Sequence, residues 1–289
     1  MLRHLGAAIE ARGEKLIAHL PAALEGDVEG AHASRVAARR LAEVLPLLRS
    51  RKAERLRADV RQVRQALGAR RELAVTRALL VEEAARWRWP AVLVAHVTRH
   101  LDARQPAINE AAEASAQVID IPRLHRRLTR IARQAGAEDY PLLMARLRRR
   151  RVARERALAR ALKAAGTMYE VERLHDVRIA AKKLRYVLEA QVECAGRGAV
   201  ARIHALKILQ DDLGRLHDLQ VLEAVVREVE GRFVSGRGRV GRGLARIGTD
   251  LETECRRLHA HALSTTEGMT HGTTFAVPGP ARDRRRTRR

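Results

Sequence analysis

The sequence predicts an all-α fold, and three observations carry that prediction. Leucines and alanines recur three and four residues apart through most of the chain, with few alternating strand-like runs. Aromatic residues are scarce, with two Trp, three Tyr and two Phe in 289 residues. A core must therefore be assembled from Leu, Ala, Val and Ile, which suits packed helices better than sheets. Finally, Gly, Pro and acidic turn residues punctuate the periodic stretches.

In chain order the helical stretches run over about 2–20, 28–49, 53–83, 90–117, 121–135, 139–165, 168–194, 200–230 and 240–262. Pro21 and the Glu25-Gly26-Asp27 turn close the first, and Pro90 and Pro122 open the fourth and fifth. Gly136 and Gly166 bound the sixth, the Gly196-Arg197-Gly198 turn follows the seventh, and the Gly-rich stretch from Gly231 to Gly243 precedes the last. After Ser264 the pattern gives way to a Thr-, Gly- and Pro-rich segment ending in a run of arginines, so 263–289 is expected to be a disordered basic tail.

Charge bounds the function. Lys and Arg number 57 against 34 Asp and Glu, a formal +23 with a pI near 11.5. Self-repulsion of that size costs folded stability, so the imbalance points to an anionic partner. The shortage of aromatics argues against a dedicated reader of single-stranded nucleic acid, which stacks bases on aromatic side chains. Cys194 and Cys255 are far apart and lack CxxC spacing, so reduced thiols in the cytoplasm are expected rather than a zinc knuckle or disulfide framework. The longest apolar stretch, Ala91 to Ala95, is too short for a membrane span, and no cofactor or metal is called for.

The chain also resembles itself. His32-Ala-Ser-Arg35-Val-Ala-Ala-Arg39-Arg40-Leu41 aligns with His175-Asp-Val-Arg178-Ile-Ala-Ala-Lys182-Lys183-Leu184 at an offset of 143 residues. Farther on, Ala66-Leu67-Gly68-Ala-Arg-Arg71-Glu72-Leu73 aligns with Asp212-Leu213-Gly214-Arg-Leu-His217-Asp218-Leu219 at an offset of 146. The preserved order predicts a tandem duplication, with a first half of about 1–137 and a second of about 138–262, each a helical bundle.

At 100° per residue, His175, Arg178, Lys182 and Tyr186 fall at about 0°, −60°, −20° and +20°, one stripe of a helix. His32, Arg35 and Arg39 form the matching stripe, and Arg40 and Lys183 lie at about +80°, flanking it. Basic residues at helical spacing are usually a solvated face; the retention of His, Arg and Arg or Lys in one register in both copies favours a functional surface. Arginine forks and lysine point charges suit phosphate oxygens, and histidine can donate as well. Gly68 and Gly214 sit inside helical pattern, where glycine costs roughly 1 kcal/mol against Ala, so a close crossing or kink is expected at each. Beside them, Glu72 and Asp218 are expected to orient the basic side chains by ion pairing, with ordinary surface salt bridges the alternative.

These motifs resemble the CHAD domain, the conserved-histidine α-helical family. The resemblance spans about 1–262 and is strongest at His175-Asp-Val-Arg178-Ile-Ala-Ala-Lys182-Lys183-Leu-Arg185-Tyr186 and at Leu209-Gln210-Asp211-Asp212-Leu213-Gly214-Arg-Leu-His217-Asp218. It implies two pseudo-symmetric four-helix-bundle-like halves around a basic channel, and non-catalytic binding of inorganic polyphosphate. It also implies location at polyphosphate granules and a polyphosphate-metabolising protein partner. The implied ligand-binding residues are His32, Arg35, Arg39, Arg40, His175, Arg178, Lys182, Lys183, Arg185 and Tyr186, supported by Arg71, Glu72, His217 and Asp218. Where the family usually carries Arg-Asp and Asn-Asp, this chain has Arg71-Glu72 and His217-Asp218.

Three other readings stay open, one of them a scaffold whose basic surface docks acidic proteins. A protein of +23 binds RNA or DNA nonspecifically at low salt. An HD-type metal-dependent phosphohydrolase would use the dipeptides His175-Asp176 and His217-Asp218, but their first-half equivalents are His32-Ala33 and Arg71-Glu72, so what repeats is His-x-x-Arg.

Overall fold

The computed structural model describes residues 5–195, 198–233 and 238–271, with side chains through 266. Among them every regular element is helical: α1 (Leu5–Glu25), α2 (Val28–Val44), α3 (Arg51–Ala66), α4 (Gly68–Trp87), α5 (Ala91–Gln117), α6 (Ile121–Gly136), α7 (Tyr140–Ala165), α8 (Val171–Ala195), α9 (Val200–Glu230) and α10 (Arg239–His271). A short 3-10 turn, Leu45–Leu48, follows α2. No helix of the described residues is long and apolar enough to cross a membrane.

Local chemistry starts several of these helices. Asp27 caps α2 by accepting from the Gly30 amide, Ser50 caps α3 through Ala53 N at 3.2 Å, and Asp120 caps α6 through Arg123 N at 2.8 Å. Gly6 allows α1 to lie against α6: a Cβ there would meet Ala132 O at 2.5 Å.

Three boundaries differ from those read in the sequence. Pro21 does not end α1, which runs on to Glu25. The single helix expected over 53–83 is broken at Leu67, where ψ rises to 3°, so that α3 and α4 are separate helices. The last helix continues nine residues past 262 to His271, and the tail expected from 263 therefore begins as helix. Residues 272–289, like Gly196 and Arg197 of the expected turn, lie outside the described residues.

Helix order preserves the repeat. An offset of 143 carries α2 onto α8, and one of 146 carries the α3–α4 pair onto the unbroken α9 and α5 onto α10. The cores, however, do not divide at 137/138. One unites α1, α2, α3 and α6 with the start of α7 and the end of α8 (Val187, Ala190 and Cys194). The other joins α4 and α5 to α9, α10, the first part of α8 and the end of α7. The kink at Leu67 makes this possible: it lets α3 stay with the N-terminal helices while α4 turns to pack on α9. Long helices crossing between cores thus knit the two sequence halves together. Cys194 belongs to one core and Cys255 to the other, both buried free thiols. The arrangement brings α2 against α8, α4 against α9 and α2 against α4, so the four helices carrying the repeated motifs meet.

Candidate anion-binding site

Each of these four helices sends cations or polar groups to one place. A cavity of about 140 Å³ is bounded by Arg35 and Arg39 of α2, Arg71 and Glu72 of α4, Arg178 of α8, and His217 and Asp218 of α9. No Trp, Tyr or Phe lines it. Arg35 reaches across the break between α3 and α4 and donates from Nη1 to the Leu67 carbonyl at 2.9 Å, which fixes its fork at the rim. Arg71 Nη2 lies 3.5 Å from His32 Nδ1, joining the first histidine to the cluster. The rings of His175 and His217 are 5.2 Å apart, so the second histidine meets α9.

What the cluster lacks is carboxylate pairing. Buried and half-buried arginines elsewhere are neutralised, as where Arg150 and Arg154 share Glu43 at 2.9 Å and Arg12 holds Glu193 at 2.9 Å. Among the described residues, Arg35, Arg39, Arg71, Arg178 and Lys182 form no such pair, although all five are half-buried. Glu72 and Asp218, expected to orient these cations by ion pairing, make no ion pair with them; their charge acts only at longer range. The buried Nε of Arg35 and of Arg178 find no acceptor in the protein.

Electrostatics records the imbalance. Burial, then Arg39 and Arg71, push the Arg35 guanidinium down to about 10. Burial, then Arg39, Arg178 and Arg185, push the Lys182 amine down to about 7, partly opposed by Asp218. His217 falls to about 4 through burial and Arg178, and His32 is lowered by burial and Arg71. Burial also lowers Arg178, which Asp218 offsets, and raises Asp218, which Arg178 offsets. Each shift of a basic group opposes holding one more positive charge here, whereas burial of Asp218 works against its negative one. The field extends to Arg64 of α3, lowered by burial and then by Arg39. Nothing in the repeat marks Arg64, whose counterpart at the same offset is Gln210.

Four residues implied by the family resemblance go elsewhere. Arg40 Nε pairs with Glu189 at 2.8 Å, tying α2 to the C-terminal half of α8. Arg185 shares that carboxylate at 3.6 Å and lies over the Tyr186 ring, 5.2 Å from its centroid. Tyr186 is 3% exposed and thus covered by protein. Lys183 is exposed on the outer α7–α8 groove beside Arg154 and Arg160. Sequence angles on a straight helix put Lys183 and Arg40 beside the stripe; in the packed protein that edge is occupied by α7 for the one and by Glu189 for the other.

Among the described residues, no group of three or more His, Cys, Asp or Glu is arranged to hold a metal ion. Chemically, the site offers several guanidinium forks and one amine converging from four helices. Such an array can grip a multiply charged oxyanion.

The CHAD domain family model matches residues 7–227. No curated protein matches the chain. Two solved structures are similar in fold. PptA from Streptomyces chartreusis aligns at a TM-score of 0.64 and 18% identity, covering 91% of this chain and 96% of its own. The CHAD domain from the plant Ricinus communis aligns at 0.56 and 20% identity, covering 96% of this chain and 91% of its own.

Proposed function

The chain belongs to the CHAD domain family, and from that premise we propose that it is a non-catalytic binder of inorganic polyphosphate. Arg35, Arg39, Arg71, Arg178 and Lys182 hold the phosphates, with His32, His175 and His217 at the margin. The observation that carries this reading is the cluster of five half-buried cations without a carboxylate partner. Burying charge is costly unless something neutralises it. Here the protein leaves that role to a ligand. A chain of identical phosphates neutralises several cations at once and gains from releasing condensed counterions.

Nucleic acid is the competing ligand, favoured by the overall +23. Against it, the cavity has no aromatic platform on which a base could stack. On the polyphosphate reading the protein acts in the cytoplasm at polyphosphate granules, alongside a polyphosphate-metabolising partner. Competition at physiological salt tests the reading: long-chain polyphosphate should displace RNA of equal total charge, and RNA prevailing would refute it. Purified protein that carries stoichiometric metal and turns over a phosphoester would instead make it an enzyme.

A further inference from the structure

We propose that Lys182 is a modification site, acylated directly by small acyl phosphates whose phosphate group is held by the arginines around it. The proposal rests on reading this cluster as a phosphate site and adds a regulatory chemistry to it.

Lys182 stands one turn beyond Arg178 on α8, within range of the charges of Arg39 of α2 and Asp218 of α9, and those three residues line the cavity of about 140 Å³. Among the described residues no carboxylate pairs with it, so its nitrogen is not tied up in an ion pair. Its surroundings also disfavour the ammonium form: the amine titrates near 7, which leaves about half of it as free base at pH 7, against roughly a few parts in ten thousand for an ordinary lysine. A nucleophilic amine thus sits among guanidinium groups suited to a phosphate dianion.

The reaction balances without another reagent. The Nζ lone pair attacks the acyl carbon and forms an N–C bond. The C–O bond to phosphorus breaks, and orthophosphate leaves with the bonding pair. One proton passes from nitrogen to solvent. The product is a neutral amide, so the site loses a cation, and its salt slope for polyphosphate falls by about 0.7.

The neighbouring lysine is an internal control. Lys183 is one residue away but exposed on the outer groove, so reagent access alone would favour it. The full chain would be incubated at pH 7 with isotopically labelled acetyl phosphate, and label at each lysine read from fragment ions. We expect Lys182 to be acylated about tenfold faster than Lys183, and this preference to shrink with N-acetylimidazole, which carries no phosphate. Lys182→Arg should remove the fast label. Equal or faster labelling of Lys183 would overturn the proposal, as would the same preference with both reagents. Polyphosphate binding by the unmodified chain is measured separately. A protein that binds polyphosphate yet labels without preference loses this inference alone; one that labels Lys182 selectively but binds no polyphosphate loses that ligand and keeps the acyl-phosphate site.

Discussion

Arg40 Nε lies 2.8 Å from a carboxylate oxygen of Glu189, while Arg39, its neighbour in sequence, turns into the unpaired cluster. Two adjacent arginines are therefore placed differently, one in a structural ion pair and one, on the proposed reading, toward the ligand. Arg40→Ala leaves Glu189, 15% exposed, with only the longer Arg185 contact, and should cost about 1 kcal/mol of stability. Polyphosphate affinity should hardly change. Arg39→Ala should weaken polyphosphate binding about tenfold, the usual weight of a charge-assisted hydrogen bond, with stability unchanged or raised. Titration calorimetry and thermal melts on both variants distinguish these roles, and exchanged effects would show that the assignment is reversed.

The two glycines of the second motif separate in the same way. Gly68 stands at the α3–α4 break, and a Cβ there would make ordinary contact with Arg35 Nη1 at 3.7 Å. Gly214 lies within unbroken α9, and a Cβ would meet nothing within 4 Å. The kink expected in the sequence is present at Gly68, whereas neither a kink nor a close crossing explains Gly214. Gly214→Ala should stabilise the protein by about 0.5–1 kcal/mol in urea unfolding and leave polyphosphate binding intact. Destabilisation would reveal a neighbour at that position.

Periodicity and punctuation were enough to read the helical class and most helices, because both are local properties of the chain. The inner stripe was legible too, since duplication retained His32, Arg35 and Arg39 beside His175, Arg178 and Lys182 in one register. What was not legible depends on partners distant in sequence. Glu189 claims Arg40, protein covers Tyr186, and α7 draws Lys183 to the outer surface. Gly68 marks the break at Leu67, but that α4 then packs on α9 depends on contacts with helices distant in sequence.

On the proposed reading, Lys182 should give polyphosphate binding a pH dependence. The amine titrates near 7 in the free protein, and a polyanion favours its charged form. Affinity should be high below pH 7 and fall as pH rises through about 7, with proton uptake on binding near neutrality. Long chains keep the end-group phosphates a minor contribution. Lys182→Arg should flatten the profile, and an equally steep profile in that variant would assign the dependence to another group.

Free-protein stability should move the other way. Between its folded value of about 7 and the ordinary lysine value near 10.5, the unfolded chain holds the proton that folded Lys182 has lost. Stability from this group therefore rises with pH across that window. Saturating polyphosphate should reduce or reverse the trend, because it keeps Lys182 protonated in the folded state. Thermal melts from pH 7 to 10, with and without ligand, give both signs.

The number of cations at the site sets the salt dependence. If Arg35, Arg39, Arg71, Arg178 and Lys182 each neutralise one phosphate, the log–log slope of affinity against salt should be about −3 to −4 for a flexible single-chain anion. Arg71→Ala should reduce its steepness by about 0.7, whereas Lys183→Ala, on the outer groove, should leave it unchanged. The contrast separates a localised site from the diffuse attraction of a +23 surface, on which any lysine or arginine would count alike. Titrations of both variants from about 50 to about 300 mM salt therefore decide the matter: equal changes in slope would mean that polyphosphate follows general charge, and a change confined to Arg71→Ala would assign it to the unpaired cluster.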